Sequence, residues 1–224
     1  MNRVEVFADP VLLKLGPVPL TQTMVTTIAV SLAMVAFAAA LRFGITRRPG
    51  KTLDILAGMA FEFLDRLVTD VVGRPSPRLT IFSGTLFFFI ASCSIIGQLP
   101  GVRTPTANLA TTSALAILVF LAVPAAGIYT KGVWGYIRHY FRPNPILFPL
   151  HVISELSRTL ALSVRLFGNM MSGHLIVALL VALVGVLVPT PLMALDLLIG
   201  FLQAYIFAVL TTVYVGAAIR VGEE

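Results

Sequence analysis

Arg165 sits in Leu160-Ala161-Leu162-Ser163-Val164-Arg165-Leu166-Phe167-Gly168-Asn169-Met170-Met171-Ser172-Gly173-His174, inside an apolar stretch long enough to cross a bilayer. An arginine at that depth costs roughly 2.5 to more than 10 kcal/mol, so it normally faces protein or trapped water and marks an ion pathway. A guanidinium does not in practice lose its proton, so unless it is permanently paired its role is electrostatic. The structural alternative is a buried ion pair with Asp196. At 100° per residue, Arg158 and His151 precede Arg165 by seven and fourteen positions and fall within about 40° of its azimuth. Asn169 continues that polar stripe by about one turn, whereas His174, nine positions on, falls on roughly the opposite face. In the last apolar segment Asp196 and Gln203 are seven apart and share a face, with Tyr214 near it. A histidine or aspartate among several spans can also be a satisfied structural pair. Ser154, Ser157, Ser163 and Ser172 read first as interhelical glue, worth about 0.6 to 2 kcal/mol each.

Residues of this kind must be positioned by a membrane framework. With 58% hydrophobic and 12% charged residues, the chain reads as an integral membrane protein rather than a globular one. Long apolar runs bounded by Pro, Gly and basic residues argue for helices, because a barrel would show short alternating segments. The 224 residues are filled by four to six spans with short loops, which leaves no room for a soluble domain. Cys93 is the single cysteine, so no intrachain disulfide is possible. Met1 to Pro19 lacks the pattern of a cleaved signal peptide, and its retention is expected.

The net charge of +6 does not point to nucleic acid, because the basic residues lie in short loops beside apolar spans. Arg42, Arg47, Arg48 and Lys51 follow the first span, Arg74 and Arg78 precede the second, and Lys131, Arg138 and Arg142 follow the third. The positive-inside rule places these clusters in the cytoplasm, the N-terminus outside and the C-terminus inside.

The expected elements are an external tail over 1–22, a span over 23–43, and an amphipathic cytoplasmic helix over 51–72. Spans over 79–99 and 109–130 follow, then a long helix over 146–188 and a last helix over 192–219. In the amphipathic segment Leu53, Leu56, Ala60, Phe63, Leu64, Leu67 and Val71 recur at three and four, with Asp54, Glu62, Asp65, Arg66 and Asp70 elsewhere. A mostly acidic polar face favours packing on protein over attraction to anionic lipid. Trp134, Tyr136, Tyr140 and Phe141 form an interfacial aromatic cluster after the third span. The segment 146–188 is too long for one perpendicular helix and must tilt, bend or begin outside the hydrocarbon. The expected fold is an all-α integral membrane protein in one domain, with five transmembrane helices and one amphipathic surface helix.

Ser154-Glu155-Leu156-Ser157-Arg158, followed by Leu162-Ser163-Val164-Arg165-Leu166-Phe167-Gly168-Asn169-Met170, strongly resembles subunit a of bacterial-type rotary F-type ATP synthases. Pro105-Thr106-Ala107-Asn108-Leu109 looks like that family's external loop, and Phe201-Leu202-Gln203-Ala204-Tyr205-Ile206-Phe207-Ala208-Val209-Leu210 like its last helix. The resemblance covers roughly 79–221, while the first span and the amphipathic helix match in layout only. It implies a non-catalytic static channel subunit in a bacterial inner membrane, without cofactor or metal, working with a c-subunit ring, a b-subunit stalk and the rest of the complex. Its last two helices would form a long tilted hairpin against the ring. Arg165 matches the essential arginine that separates two offset half-channels, so that ions ride the ring through nearly a full turn. Asn169, His174, Asp196 and Gln203 would line the outer half-channel, and Asn108 of the external loop would also be channel-lining; His151, Ser154 and Glu155 would belong to the cytoplasmic one.

In several bacterial members an acid stands at the His174 position and a histidine at the Asp196 position, so this chain has the exchanged arrangement, similar to mitochondrial relatives. An exchange that keeps one acid and one base suggests a working proton-relay pair. His151 departs from the glutamate of many relatives. Across the hairpin, Gln203 is expected to orient Arg165 by hydrogen bonding. A sodium-coupled version of the same subunit is the alternative. A secondary transporter lacks support because no inverted repeat is visible. An intramembrane hydrolase lacks a nucleophile or metal motif.

Overall fold

The computed structural model describes residues 11–15, 18–47, 52–99, 104–140, 148–185 and 188–220. The elements are β1 (Val11–Leu15), β2 (Val18–Thr21), α1 (Gln22–Arg47), α2 (Thr52–Val72) and α3 (Pro77–Gly97). A single 3-10 turn (Pro105–Ala107) then leads into α4 (Leu109–Tyr140), α5 (Phe148–Val184) and α6 (Thr190–Arg220). Among the described residues five helices are long and apolar enough to cross a membrane, which makes this an all-α membrane protein, with α2 as a sixth, amphipathic helix.

The boundaries depart from the sequence expectation at four places, each with a local reason. The antiparallel pair β1–β2, with Lys14 opposite Pro19 and Leu15 opposite Val18, is an addition within the segment expected only as a tail. Thr21 then caps α1, its hydroxyl oxygen accepting from the Met24 N–H at 3.4 Å. The third span ends at Thr130 as expected, but helix α4 continues past it through a break at Gly132, where φ of 73° suits glycine. The segment expected over 146–188 forms a helix over Phe148–Val184, closed by Gly185 in the left-handed region, with its N–H on the Val181 carbonyl at 3.1 Å. Thr190 and Pro191, expected in the loop, open α6, because proline in a first turn gives up an N–H that had no helical partner.

Most hydroxyls inside the spans are satisfied locally, as lipid requires. Hydroxyls of Thr26, Thr27, Ser31, Ser83, Ser94, Thr211 and Thr212 donate to the carbonyl four residues back at 2.7–3.0 Å. With no hydrophobic drive between helices in lipid, association rests on packing and close backbone approach. α3 and α6 form the inner pair, with α4 and α5 beside them. Leu86, Ile90, Ala116, Val119, Leu162, Leu166, Met170, Ala204 and Phe207 make their shared core. Gly200 permits the α3–α6 contact: a Cβ there would stand 2.5 Å from Ser94 Oγ and 3.2 Å from Met170 Cε.

α2 packs on protein, as its acidic polar face suggested. Leu67, Val68 and Val72 join Leu79 and Val215 in a second core, and Gly216 leaves room for Val72. Asp65 accepts from Thr80 at 3.0 Å, and Glu62 and Arg66 pair on the exposed side at 2.6 Å. Such an exposed pair contributes little. α1 stays peripheral, its side chains mostly exposed.

Candidate functional site

The α5–α6 hairpin carries two polar regions of opposite character. Arg165 is exposed on the outer face of α5, among exposed Leu160 and Val164 and the bare backbone of Gly168, where an added Cβ would meet nothing. Among the described residues it makes no ion pair, and the structural alternative of a pair with Asp196 is not realised. Arg158, one stripe position earlier, lies over the Tyr214 ring at 4.1 Å, a cation–π contact that joins the start of α5 to the end of α6.

Behind that face, Asn169 donates through Nδ2 to Gln203 Oε1 at 3.1 Å. Gln203 is almost fully buried and its Nε2 has no partner among the described residues. The expected hydrogen bond from Gln203 to Arg165 is therefore replaced by one to Asn169. Asn169 takes that position because it stands one turn beyond Arg165 and is turned toward α6.

About two and a half turns beyond Arg165 along α5, a partly buried cluster gathers four elements. His174 Nε2 lies 2.5 Å from Thr104 Oγ1, at the threshold of the 3-10 turn. Asp196, on the first turns of α6, accepts from Gln98 Nε2 at 3.3 Å, at the end of α3. Glycines make the closeness possible. A Cβ on Gly173 would collide with the Asp196 carboxylate, and one on Gly97 would collide with Thr104 and stand 3.2 Å from His174 Cε1. Asp196 thus lies against Gly173 and His174 against Gly97, and each hydrogen-bonds a partner of its own rather than pairing directly.

The remaining candidates lie elsewhere. Asn108 caps α4, its side-chain oxygen accepting from the Ala110 N–H at 2.8 Å. Ser154 is exposed and Glu155 half-buried near the start of α5, roughly 28 Å along the helix axis from His174 at 1.5 Å per residue. The side chain of His151 lies outside the described residues, as do those of Trp134, Tyr136 and Tyr140 and the whole of Phe141. Ser163 is glue, 3.1 Å from Ser113 across the α4–α5 contact. Among the described residues no three His, Cys, Asp or Glu side chains gather to hold a metal ion.

Sequence reasoning missed Thr104, Gln98, Gly97 and Gly173. Gln98 and Thr104 flank Pro100-Gly101 at a span end, where a polar residue reads as ordinary loop; only their contacts 98 and 70 positions away give them meaning.

The arrangement can present a fixed positive charge outward while an acid and a base are held inside. Comparison with known proteins gives the chain's family. The family model described as ATP synthase A chain matches residues 19–216. The chain is 43% identical over 216 residues to ATP synthase subunit a 2 of Bradyrhizobium sp. (strain BTAi1), covering 93% of each chain. To ATP synthase subunit a 1 of Chlorobium luteolum it is 44% identical over 214 residues, covering 93% of this chain and 94% of the relative. To subunit a 1 of Chlorobaculum parvum it is 42% identical over 222 residues, covering 96% of each. On this match the chain belongs to the ATP synthase subunit a family.

Proposed function

We propose that the chain is the static, non-catalytic ion-channel subunit of a rotary ATP synthase in a bacterial inner membrane. Its partners are a ring of c subunits, a b-subunit stalk and the rest of the complex. The N-terminus lies outside and the C-terminus in the cytoplasm, in keeping with the positive-inside distribution of Arg42, Arg74, Arg78 and Arg138. The α5–α6 hairpin lies tilted against the ring. Protons enter an outer half-channel through His174 and Asp196, pass Asn169 and Gln203, and load a ring carboxylate. After nearly a full turn they leave by an inner half-channel near His151, Ser154 and Glu155.

One observation carries this reading: Arg165 stands on the exposed face of the hairpin with no carboxylate paired to it among the described residues. A permanent charge held in an apolar surface without an internal partner calls for a partner from outside. A ring carboxylate supplies it. Two such charges about 4 Å apart attract by roughly 4 kcal/mol at an effective dielectric of 20. That attraction favours release of the carboxylate's proton and bars direct passage between the half-channels. The imidazole and carboxylate of the buried cluster suit protons as the coupling ion.

Arg165→Ala tests the reading. The variant is expected to assemble with the complex and to lose ATP-driven proton pumping in inverted vesicles. Pumping at the parental rate would refute the gate. Arg165→Lys is expected to restore little, because a compact ammonium differs in shape and can lose its proton when buried.

A further inference from the structure

We propose that Thr104 is a positioning residue for proton transfer, holding the His174 imidazole through a hydrogen bond that survives both protonation states. The proposal rests on the reading of His174 as part of the ion path.

The 2.5 Å contact between Thr104 Oγ1 and His174 Nε2 is the closest polar contact in the cluster, and Thr104 is almost fully buried. An imidazole that takes up and gives up a proton alternates at Nε2 between donor and acceptor. An amide oxygen or carboxylate could serve only the donor form. A hydroxyl both donates and accepts, so rotating about its C–O bond lets it serve either form with no movement of the backbone. His174 therefore need not lose this part-buried hydrogen bond on either half of its cycle.

The surroundings fix this pair and little else. Gly97 offers bare backbone to it, and any side chain there would displace the Thr104 hydroxyl. Pro105 follows Thr104 directly and restricts it to extended backbone, observed at φ −66° and ψ 132°. The charged neighbour, Asp196 on α6, is held by Gln98 rather than by the imidazole, which leaves Thr104 as the group that orients Nε2. The segment between α3 and α4 thus supplies a wall of the ion path that neither hairpin helix provides.

The test compares Thr104→Ser, Thr104→Val and Gly97→Ala in the assembled complex, with ATP-driven proton pumping in inverted vesicles normalised to the amount of assembled subunit. Serine keeps the hydroxyl, and pumping is expected within about twofold of the parent. Valine keeps the shape without the hydroxyl, and pumping is expected to fall about tenfold, the scale of one unmet hydrogen bond. Gly97→Ala should reproduce the valine loss. In a His174→Ala background, Thr104→Val should add no further loss, because the two residues act as one unit. Should the valine variant not assemble, Thr104→Ala replaces it against serine. Parental pumping by valine, serine as slow as valine, or the same fold-loss with and without His174 would each overturn the proposal. Parental pumping by His174→Ala alone would instead remove the ion-path reading, and the proposal with it.

Discussion

The outer face around Arg165 and the buried cluster around His174 are both polar intrusions into an apolar hairpin, yet they are built on opposite principles. At the cluster each polar group finds its partner within the chain: Thr104 for His174 and Gln98 for Asp196. At the outer face the charge has no carboxylate among the described residues, and the adjacent Gly168 borders open space. A satisfied group is explained by this subunit alone. The unpaired charge is what the proposed ring partner would answer. The same contrast separates two glycines: Gly200 is enclosed by Ser94 and Met170, whereas Gly168 is enclosed by nothing.

The glycines offer the largest effect. Gly200→Ala places a Cβ 2.6 Å from Ser94 Cβ, so α3 and α6 must separate. Overpacking of this kind costs about 1–3 kcal/mol or more, and loss of the subunit from purified membranes is the expected outcome. Gly168→Ala should leave subunit levels unchanged and alter only pumping, since its methyl meets a neighbouring protein or nothing. Equal losses of subunit from both variants would erase the distinction between inner and outer faces.

A smaller effect is expected at the cluster. His174→Asp and Asp196→His should each slow pumping strongly, because each puts like groups in one cluster and changes one partner of a part-buried hydrogen bond. The double exchange restores one acid and one base and should pump faster than the product of the two single losses predicts. A double variant no better than that product would leave these residues a structural role only.

Gln203→Leu sharpens the comparison from between the two regions. It removes the acceptor for Asn169 Nδ2 while leaving Arg165 untouched. Transport should slow by about two- to tenfold, the scale of one hydrogen bond, and hydrolysis should stay coupled to pumping. Full uncoupling would mean that Gln203 supports the gate itself.

The framework was legible in the sequence because lipid imposes a coarse rule. Apolar runs of about twenty residues must be helical, and Gly132 was legible as the end of the third span, whereas Gly185, also in the left-handed region, lies inside a run expected to stay helical to 188. Boundaries were less legible where one residue type serves two purposes: Pro191 reads as a breaker yet opens α6. The stripe from Arg158 through Arg165 to Asn169 followed from helical periodicity, which also put His174 on another face. Which neighbour each face meets could not follow from periodicity. Gln203 was expected beside Arg165 and lies on Asn169, because the rotation of α6 against α5 is set by packing at Ala204 and Phe207. Thr104 and Gln98 were invisible for the same reason.

The central claim is that Arg165 holds a permanent charge for a partner outside this subunit. A structure of the intact complex in lipid tests it most directly, with the distance from the Arg165 guanidinium to the nearest carboxylate as the measurement. The account predicts that this carboxylate belongs to the c-subunit ring, at ion-pair distance or across one water, with Asp196 still on Gln98. An Arg165 turned inward and paired with Asp196 would contradict it.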